Sequence, residues 1–222
     1  MVRSRWAVCW SLLLAQWASA GELSGSVQIT ADGRALRSSE AAEAVVYFRP
    51  AVPVPLRPAS EPQTMATRRK QFVPHLLAIQ AGESVRFPNE DPIFHNAFST
   101  AAENAFDTGP YGRGEGKRVE FASAGLVRVY CNVHHAMFGF ILVLDTPFHT
   151  RPDSAGRFVL KDLPDGPGEL IVYHDRGVPL RRTVVVGETA ELDLSLPLSR
   201  RKIPAHANKF GKPYGQPHDA NY

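Results

Sequence analysis

The sequence predicts an all-β protein built from β-sandwiches. Short runs of β-branched and aromatic residues recur along the 222 residues, and turn-forming residues separate them. The chain has 17 glycines and 18 prolines, a composition that disfavours a helical bundle, and residues 21–222 show no helical periodicity. Hydrophobic residues make up 44% and charged residues 21%, so the chain can bury a core, which excludes a wholly disordered protein.

Residues 1–20 have the pattern of a secretory signal peptide. Arg3 and Arg5 form a basic start, residues 6–17 are apolar, and the small residues that end at Ala20 match a cleavage site. The apolar stretch is shorter than the ~20 residues that a membrane-spanning helix needs. We therefore expect cleavage after Ala20, export to a bacterial periplasm and no transmembrane segment in the mature chain. Removal of the two arginines lowers the formal charge from +3 to +1.

The predicted strands fall into three groups along the mature chain. The first group, within residues 21–50, comprises residues 22–30 and 44–48. Residues 51–71 open with closely spaced prolines, which cannot join a sheet interior, and they predict an extended linker. The second group, within residues 72–148, comprises 76–79, 85–87, 94–99, 117–121, 126–131 and 138–144. The third group, within residues 149–198, comprises 157–160, 169–173, 183–186 and 191–196.

The strand count also predicts how these groups combine. The segments 21–50 and 149–198 each have too few strands for a sandwich, so we expect them to pair in one sandwich with the middle segment inserted. The alternative is that residues 44–48 begin the sheet of the inserted domain. Residues 138–144 are apolar on both faces and predict a fully buried strand. Residues 199–222 hold five Lys or Arg and one Asp, without an apolar period, and predict a mobile basic tail.

Cys131 is the most informative residue of the mature chain. The other cysteine, Cys9, lies in the signal peptide, so the exported protein cannot form an internal disulfide. A lone thiol in an oxidising compartment is expected to be buried, catalytic or bound to metal. His134 and Met137 follow closely, and His95 lies in another predicted strand. A thiolate, two imidazoles and a weak thioether form the ligand set of a blue-copper site. The alternative is a buried cysteine beside surface histidines.

The middle segment resembles the cupredoxins. Its stretch FVPHLLAIQAGESVRFPNEDPIFHNAFS is similar to the part of plastocyanin-type proteins that leads to their first histidine ligand, and CNVHHAM has the short ligand spacing of amicyanin. The resemblance implies a Greek-key β-sandwich holding one type 1 copper ion, with Asn96 bracing the cysteine loop. The copper ligands that it implies are His95, Cys131, His134 and Met137. His135 stands where amicyanin has proline and is the alternative to His134, which the spacing favours.

The two flanks carry a second resemblance. Residues 25–48 and 154–175 resemble a carboxypeptidase-regulatory-like, transthyretin-like sandwich, through patterns such as SAGRFVLKDLPDGPGELIVYHD. Taken together, the parts resemble bacterial exported proteins of the methylamine-utilisation-like family. That resemblance implies electron transfer near an amine-oxidising system, without a defined substrate.

These observations predict an exported single-copper electron carrier that cycles between Cu(I) and Cu(II) and is not an enzyme. Its expected partner is a redox protein, and no nucleic-acid partner is predicted. Two alternatives remain: a periplasmic protein that stores or delivers copper, and a β-sandwich binding module with structural copper. The absence of His-x-His pairs disfavours a multicopper oxidase, and the absence of Cys-x-x-Cys-His disfavours covalent haem.

Two further expectations concern the surroundings of the copper site. His134 should lie nearest the surface, ringed by apolar residues such as Phe94 and Phe138, at the edge where electrons would pass. Glu90 and Asp91 predict a solvated acidic turn.

Overall fold

The computed structural model describes residues 21–31, 33–35, 42–200 and 206–213, so the predicted signal peptide lies outside the described residues. The regular structure of these ranges consists of eighteen strands and one 3₁₀ helix, Ala102–Asn104. The predicted all-β class is therefore confirmed. Within the same ranges, no helix has the length and apolar character needed to cross a lipid bilayer.

The two flanks of the chain form the first sandwich. Its first sheet contains β1 (Gly21–Ala31), β2 (Arg34–Ala35), β15 (Arg157–Leu163) and β18 (Leu192–Leu198). The order in this sheet is β15-β1-β18, and β2 pairs with β1. Its second sheet contains β3 (Val45–Pro50), β14 (His149–Thr150), β16 (Gly166–Tyr173) and β17 (Leu180–Val186). The order in the second sheet is β14-β3-β16-β17.

The predicted pairing between the flanks is present. Strand β1 is antiparallel to β15 and parallel to β18, and β3 is antiparallel to β14 and β16. The alternative, in which residues 44–48 begin the sheet of the inserted domain, is wrong, because β3 pairs only within the first sandwich among the described strands.

The inserted segment forms the second sandwich. One of its sheets contains β4 (Gln63–Thr64), β5 (Ala66–Arg68), β6 (Gln71–Val73), β8 (Glu83–Asn89) and β11 (Gly114–Phe121). The order is β11-β8-β5-β6, and β4 pairs with β8. The other sheet contains β7 (Leu76–Gln80), β9 (Phe98–Ser99), β10 (Phe106–Asp107), β12 (Gly125–Tyr130) and β13 (Phe138–Leu144). The order here is β10-β9-β12-β13-β7.

The predicted linker 51–71 differs from the structure in its second half. Residues 51–62, all of them described, contain no strand, but β4, β5 and the start of β6 belong to the second sandwich. Met65 and Thr67 are fully buried, and the Met65 N–H donates to the Arg86 carbonyl at 2.9 Å. Strands of two or three residues are too short to show an alternating pattern in the sequence.

Three apolar cores lie between four stacked sheets. Strand β3 shows this arrangement, because its successive side chains point to opposite faces. Val46 and Phe48 pack into the core of the first sandwich, whereas Val45 and Tyr47 pack into a core shared with the second sandwich. Burial of a side chain as large as Phe48, which is fully enclosed, contributes about 1.5–3 kcal/mol. The first sandwich therefore packs directly against the second through this shared core.

Strand β13 of the second sandwich, like β3 of the first, packs into a different core on each of its two faces. Every residue of Phe138–Leu144 is buried, which confirms the prediction of a fully buried strand. Ile141 and Val143 face the core of the second sandwich, and Phe140 and Leu142 face the shared core. Because β13 is held on both faces, the short loop between β12 and β13, residues 131–137, has one fixed end at Phe138.

Candidate metal centre

His95 enters the centre from a short bridged segment. The predicted strand 94–99 is reduced to β9 and one isolated bridge, in which His95 and Tyr111 exchange two backbone hydrogen bonds of 3.1 and 2.8 Å. The His95 side chain is fully buried. Its position is therefore set by backbone pairing and by the surrounding core.

Cys131 lies immediately after β12, and the loop that follows closes on itself. The Cys131 N–H donates to the Met137 carbonyl at 3.1 Å, and the Met137 N–H donates to the His134 carbonyl at 2.9 Å. The Asn132 N–H donates to the side-chain oxygen of Asn96 at 2.7 Å, so the expected bracing by Asn96 is present. These bonds hold the loop in one compact turn.

The structure brings three predicted ligands together. Cys131 Sγ lies 3.7 Å from His95 Nδ1 and 3.7 Å from His134 Nδ1. At bond lengths of about 2.3 Å for sulfur and 2.0 Å for nitrogen, two ligands of one metal ion lie roughly 3.5–3.7 Å apart at tetrahedral or trigonal angles. Two imidazoles and a thiolate are thus spaced to bind a single ion.

The other two candidate residues of the loop differ in their surroundings. Met137 is buried, with 1% of its surface exposed, and packs in the same core as Cys131. His135 is exposed, and its ring stacks on His206 with a centroid distance of 5.0 Å. The structure therefore places His134 beside the thiol and His135 at the rim of the loop.

Burial controls the protonation of the candidate ligands. It lowers the pKa of His95 and of His134, and the carboxylate of Asp91 opposes both shifts. Burial also raises the pKa of the Cys131 thiol, against the effect of hydrogen bonds from nearby backbone N–H groups. Metal ligation requires neutral imidazole and thiolate, so the lowered pKa values of the two imidazoles favour ligation and the raised pKa of the thiol opposes it.

Solved structures similar to this chain include three copper proteins. A purple cupredoxin from Nitrosopumilus maritimus is 21% identical over 37% of this chain and 99% of its own, with a TM-score of 0.34. A copper-containing nitrite reductase from Thermus scotoductus is 28% identical over 42% of this chain and 28% of its own, with a TM-score of 0.36. A reduced amicyanin variant is 17% identical over 44% of this chain and 99% of its own, with a TM-score of 0.36. No protein-family model matches the chain, and no curated protein sequence matches it.

Asp91 belongs to the centre, contrary to the predicted solvated turn. Its side chain is largely buried, one carboxylate oxygen lies 2.9 Å from His95 Nε2, and the carboxylate accepts the N–H groups of Arg69 and Lys70 at 2.7 and 2.9 Å. Burial alone would raise the pKa of Asp91, but these hydrogen bonds hold it below its usual value. Only Glu90 fits the prediction, since it is exposed and pairs with Arg68 on the surface.

The same carboxylate stabilises a strained hairpin. Arg69 and Lys70 form the two-residue turn between β5 and β6, and both adopt left-handed backbone angles, with φ of 51° and 56°. Non-glycine residues in this region cost about 1–2 kcal/mol each. Because Asp91 accepts both backbone N–H groups, it offsets part of this cost. No pattern in the sequence indicated this role, because Asp91 lies 22 and 21 positions from the two turn residues.

The expected apolar ring around His134 is only partly present. Phe94 is 65% exposed beside the centre, but Phe138 is buried in the core between the sandwiches, where its ring meets His75 at a centroid distance of 5.1 Å. The expectation for Phe138 is wrong, because alternation along β13 turns that side chain to the shared core. His134 itself is half-buried.

Part of the predicted mobile tail packs beside the cysteine loop. The Lys209 N–H donates to the side-chain oxygen of Asn132 at 3.0 Å, and Lys209 Nζ lies 2.7 Å from Asp107. The His206 ring stacks on Tyr130 with a centroid distance of 3.9 Å. Residues 206–213 therefore contact the second sandwich, whereas the mobility of the tail stays a prediction, and residues 201–205 and 214–222 lie outside the described residues.

Proposed function

We propose that this chain is an exported type 1 copper protein that transfers single electrons. One observation carries the proposal: Cys131 Sγ lies 3.7 Å from an imidazole nitrogen of both His95 and His134. The residues that would hold the copper ion are these three and Met137, whose thioether would be the weak fourth ligand.

The chemistry of the donors fits copper. A soft thiolate suits Cu(I), imidazole suits both oxidation states, and a thioether is the weak axial ligand of blue-copper sites. The centre is also closed, since His95 and Cys131 are fully buried. Bound copper would supply one-electron exchange between Cu(I) and Cu(II).

The protein's own contribution is a fixed ligand geometry. The Asp91 carboxylate orients the His95 ring, and the hydrogen bond between Cys131 and Met137 ties the ends of the loop together. Partners of this kind hold metal ligands in place and determine their tautomers. Ligands that move little between oxidation states need little reorganisation, which favours electron transfer over metal release.

A visible spectrum with redox cycling tests the proposal. The copper-loaded mature chain is expected to show an intense thiolate-to-Cu(II) band, which ascorbate bleaches and mild oxidant restores over repeated cycles without loss of copper. A colourless protein that holds only Cu(I) and yields it to a competing chelator would instead indicate copper storage or delivery. Retained copper without redox change would indicate a structural ion in a binding module.

Export to the periplasm is part of the proposal and rests on residues 1–20. Expression of the full chain in a bacterium, followed by fractionation and N-terminal sequencing, should give a periplasmic product that begins at Gly21. A cytoplasmic product that retains Arg3 and Arg5 would contradict export. Electron exchange with a redox protein near an amine-oxidising system is the finer proposal, and it rests only on the methylamine-utilisation-like resemblance.

A further inference from the structure

A second cluster of metal-ligating side chains lies where the two sandwiches meet. His174 and Asp175 follow β16 of the first sandwich, and Glu43 precedes β3. His75, between β6 and β7, reaches the cluster from the second sandwich, with its Nε2 3.1 Å from Asp175 Oδ2. None of these residues belongs to the copper centre proposed above.

The cluster is compact and almost closed to solvent. Ligand atoms of Glu43, His174 and Asp175 all lie within 4.8 Å of one another. The side chains of His174 and Asp175 are 0% and 4% exposed, and that of His75 is 13% exposed. Buried carboxylates are paired or coordinate metals, because an isolated buried charge is costly.

Hydrogen bonding leaves this cluster incompletely satisfied. Among the described residues, His174 Nε2 and Asp175 Oδ1 are buried without a hydrogen-bond partner. His174 Nδ1 accepts the Arg176 N–H at 3.2 Å, yet it also lies 2.8 Å from Asp175 Oδ1. Two lone pairs at that distance repel each other unless a proton or a metal cation lies near both. Native structures rarely leave such atoms unsatisfied.

The surroundings support metal binding in two further ways. The His75 ring is held edge-on by Phe138 and Phe140, with centroid distances of 5.1 and 5.5 Å, so its contact to Asp175 is fixed. A cavity of about 580 Å³ is lined by Glu43 and His75 among others, so the cluster borders an open space on that side.

We propose that Glu43, His174 and Asp175 bind a divalent first-row transition cation of the Zn²⁺ class, with His75 orienting Asp175. One imidazole and two carboxylates are ligands that Zn²⁺ accepts, and three protein ligands leave a fourth position for water from the cavity. His75 then acts as the outer partner that ligating carboxylates commonly have. The ion would bind to ligands of the first sandwich alone, and the contact between His75 and Asp175 would connect this site to the second sandwich.

Zinc binding to the full mature chain tests this site independently of copper. The background is Cys131→Ser, which removes the thiolate of the copper centre, and the probe is Zn²⁺ followed by calorimetry and thermal unfolding. Asp175→Asn and Glu43→Gln each remove one ligand charge with little change in shape. Asp145→Asn is the matched control, since that carboxylate is exposed and pairs with Arg49 on the surface.

We expect the parent to bind one equivalent of Zn²⁺ with a rise in its melting temperature. Either ligand variant should weaken the zinc affinity at least about tenfold, and the control should not change it. Zinc binding by other histidines is the same in all variants, so it cancels when their zinc affinities are compared. If Asp175→Asn fails to fold, Glu43→Gln, at a half-buried position, decides alone. Equal zinc affinity in Glu43→Gln and in the parent, or no bound zinc in the parent, would overturn the proposal.

Discussion

His95 Nε2 lies 2.9 Å from a carboxylate oxygen of Asp91, and this contact determines which imidazole nitrogen faces Cys131. An ionised carboxylate can only accept a hydrogen bond, so the proton of the neutral ring resides on Nε2. The lone pair of Nδ1 is then directed at the position beside the sulfur, as metal ligation requires. Asp91 therefore sets both the orientation and the tautomer of the first imidazole.

Replacing Asp91 by asparagine should weaken copper binding about 10–100-fold, the range typical for outer partners of metal ligands. The amide cannot accept from His95, Arg69 and Lys70 together, so the ring loses its fixed tautomer. Copper affinity measured by chelator competition tests this, with Glu90→Gln as the control on the neighbouring exposed carboxylate. Equal losses in both variants would show that only general charge matters.

Cys131→Ser should abolish the intense visible band of the copper-loaded protein. A serine hydroxyl stays protonated and cannot donate charge to Cu(II) as a thiolate does. The absorption spectrum at equal copper content is the measurement. A band that survives this substitution would exclude Cys131 as the ligand.

His134→Ala should damage the centre, whereas His135→Ala should leave its spectrum nearly unchanged. Only His134 lies beside the sulfur, and loss of a direct ligand should exceed the about 10–100-fold effect of outer partners. Paired titrations of the two variants with copper decide between them. The reverse pattern, with His135→Ala bleaching the protein, would move the second imidazole to His135.

How far the sequence could predict this molecule depended on the kind of contact. A continuous apolar run indicated the buried strand Phe138–Leu144, and the small number of strands in each flank indicated that the two flanks pair. Polar contacts between distant residues produce no periodic pattern in the sequence. The contact of Lys209 with Asn132 spans 77 positions, and the role of Asp91 depends on a hairpin built from unremarkable residues. The cysteine loop was predictable because its ligand types are rare and closely spaced.

Met137→Gln should keep the visible band and lower the reduction potential. Met137 is buried in the core beside Cys131, and glutamine of similar length would offer an amide oxygen in its place. A harder oxygen ligand stabilises Cu(II) relative to Cu(I), so reduction becomes less favourable. Protein-film voltammetry measures the potential, with Met65→Leu as a control, since Met65 is equally buried in that core but outside the loop. An unchanged potential would show that Met137 does not act as the axial ligand.

Four residues connect the tail to the loop of the candidate metal centre in a closed ring of hydrogen bonds. Lys209 contacts Asn132 and Asp107, Asp107 accepts from Asn96 at 3.2 Å, and Asn96 in turn accepts the Asn132 N–H. Partial burial would raise the pKa of Asp107, but the Lys209 ammonium and the N–H groups around the carboxylate lower it. The ring thus contains one exposed ion pair whose loss should free the tail.

Lys209→Met should therefore loosen residues 206–213 and raise hydrogen exchange at Lys209 and Asn132 several-fold, without unfolding either sandwich.

The pKa of Asp107 is depressed, so the ion pair is complete above the unfolded-state value of about 3.9 and is lost as pH falls through the lower folded-state value. Tail protection in the parent should consequently fall below about pH 4, whereas Lys209→Met should show no such step. Lys212→Met is the matched control, because that side chain is exposed in the same segment. Equal exchange in the two lysine variants would show that the ion pair between Lys209 and Asp107 does not hold the tail.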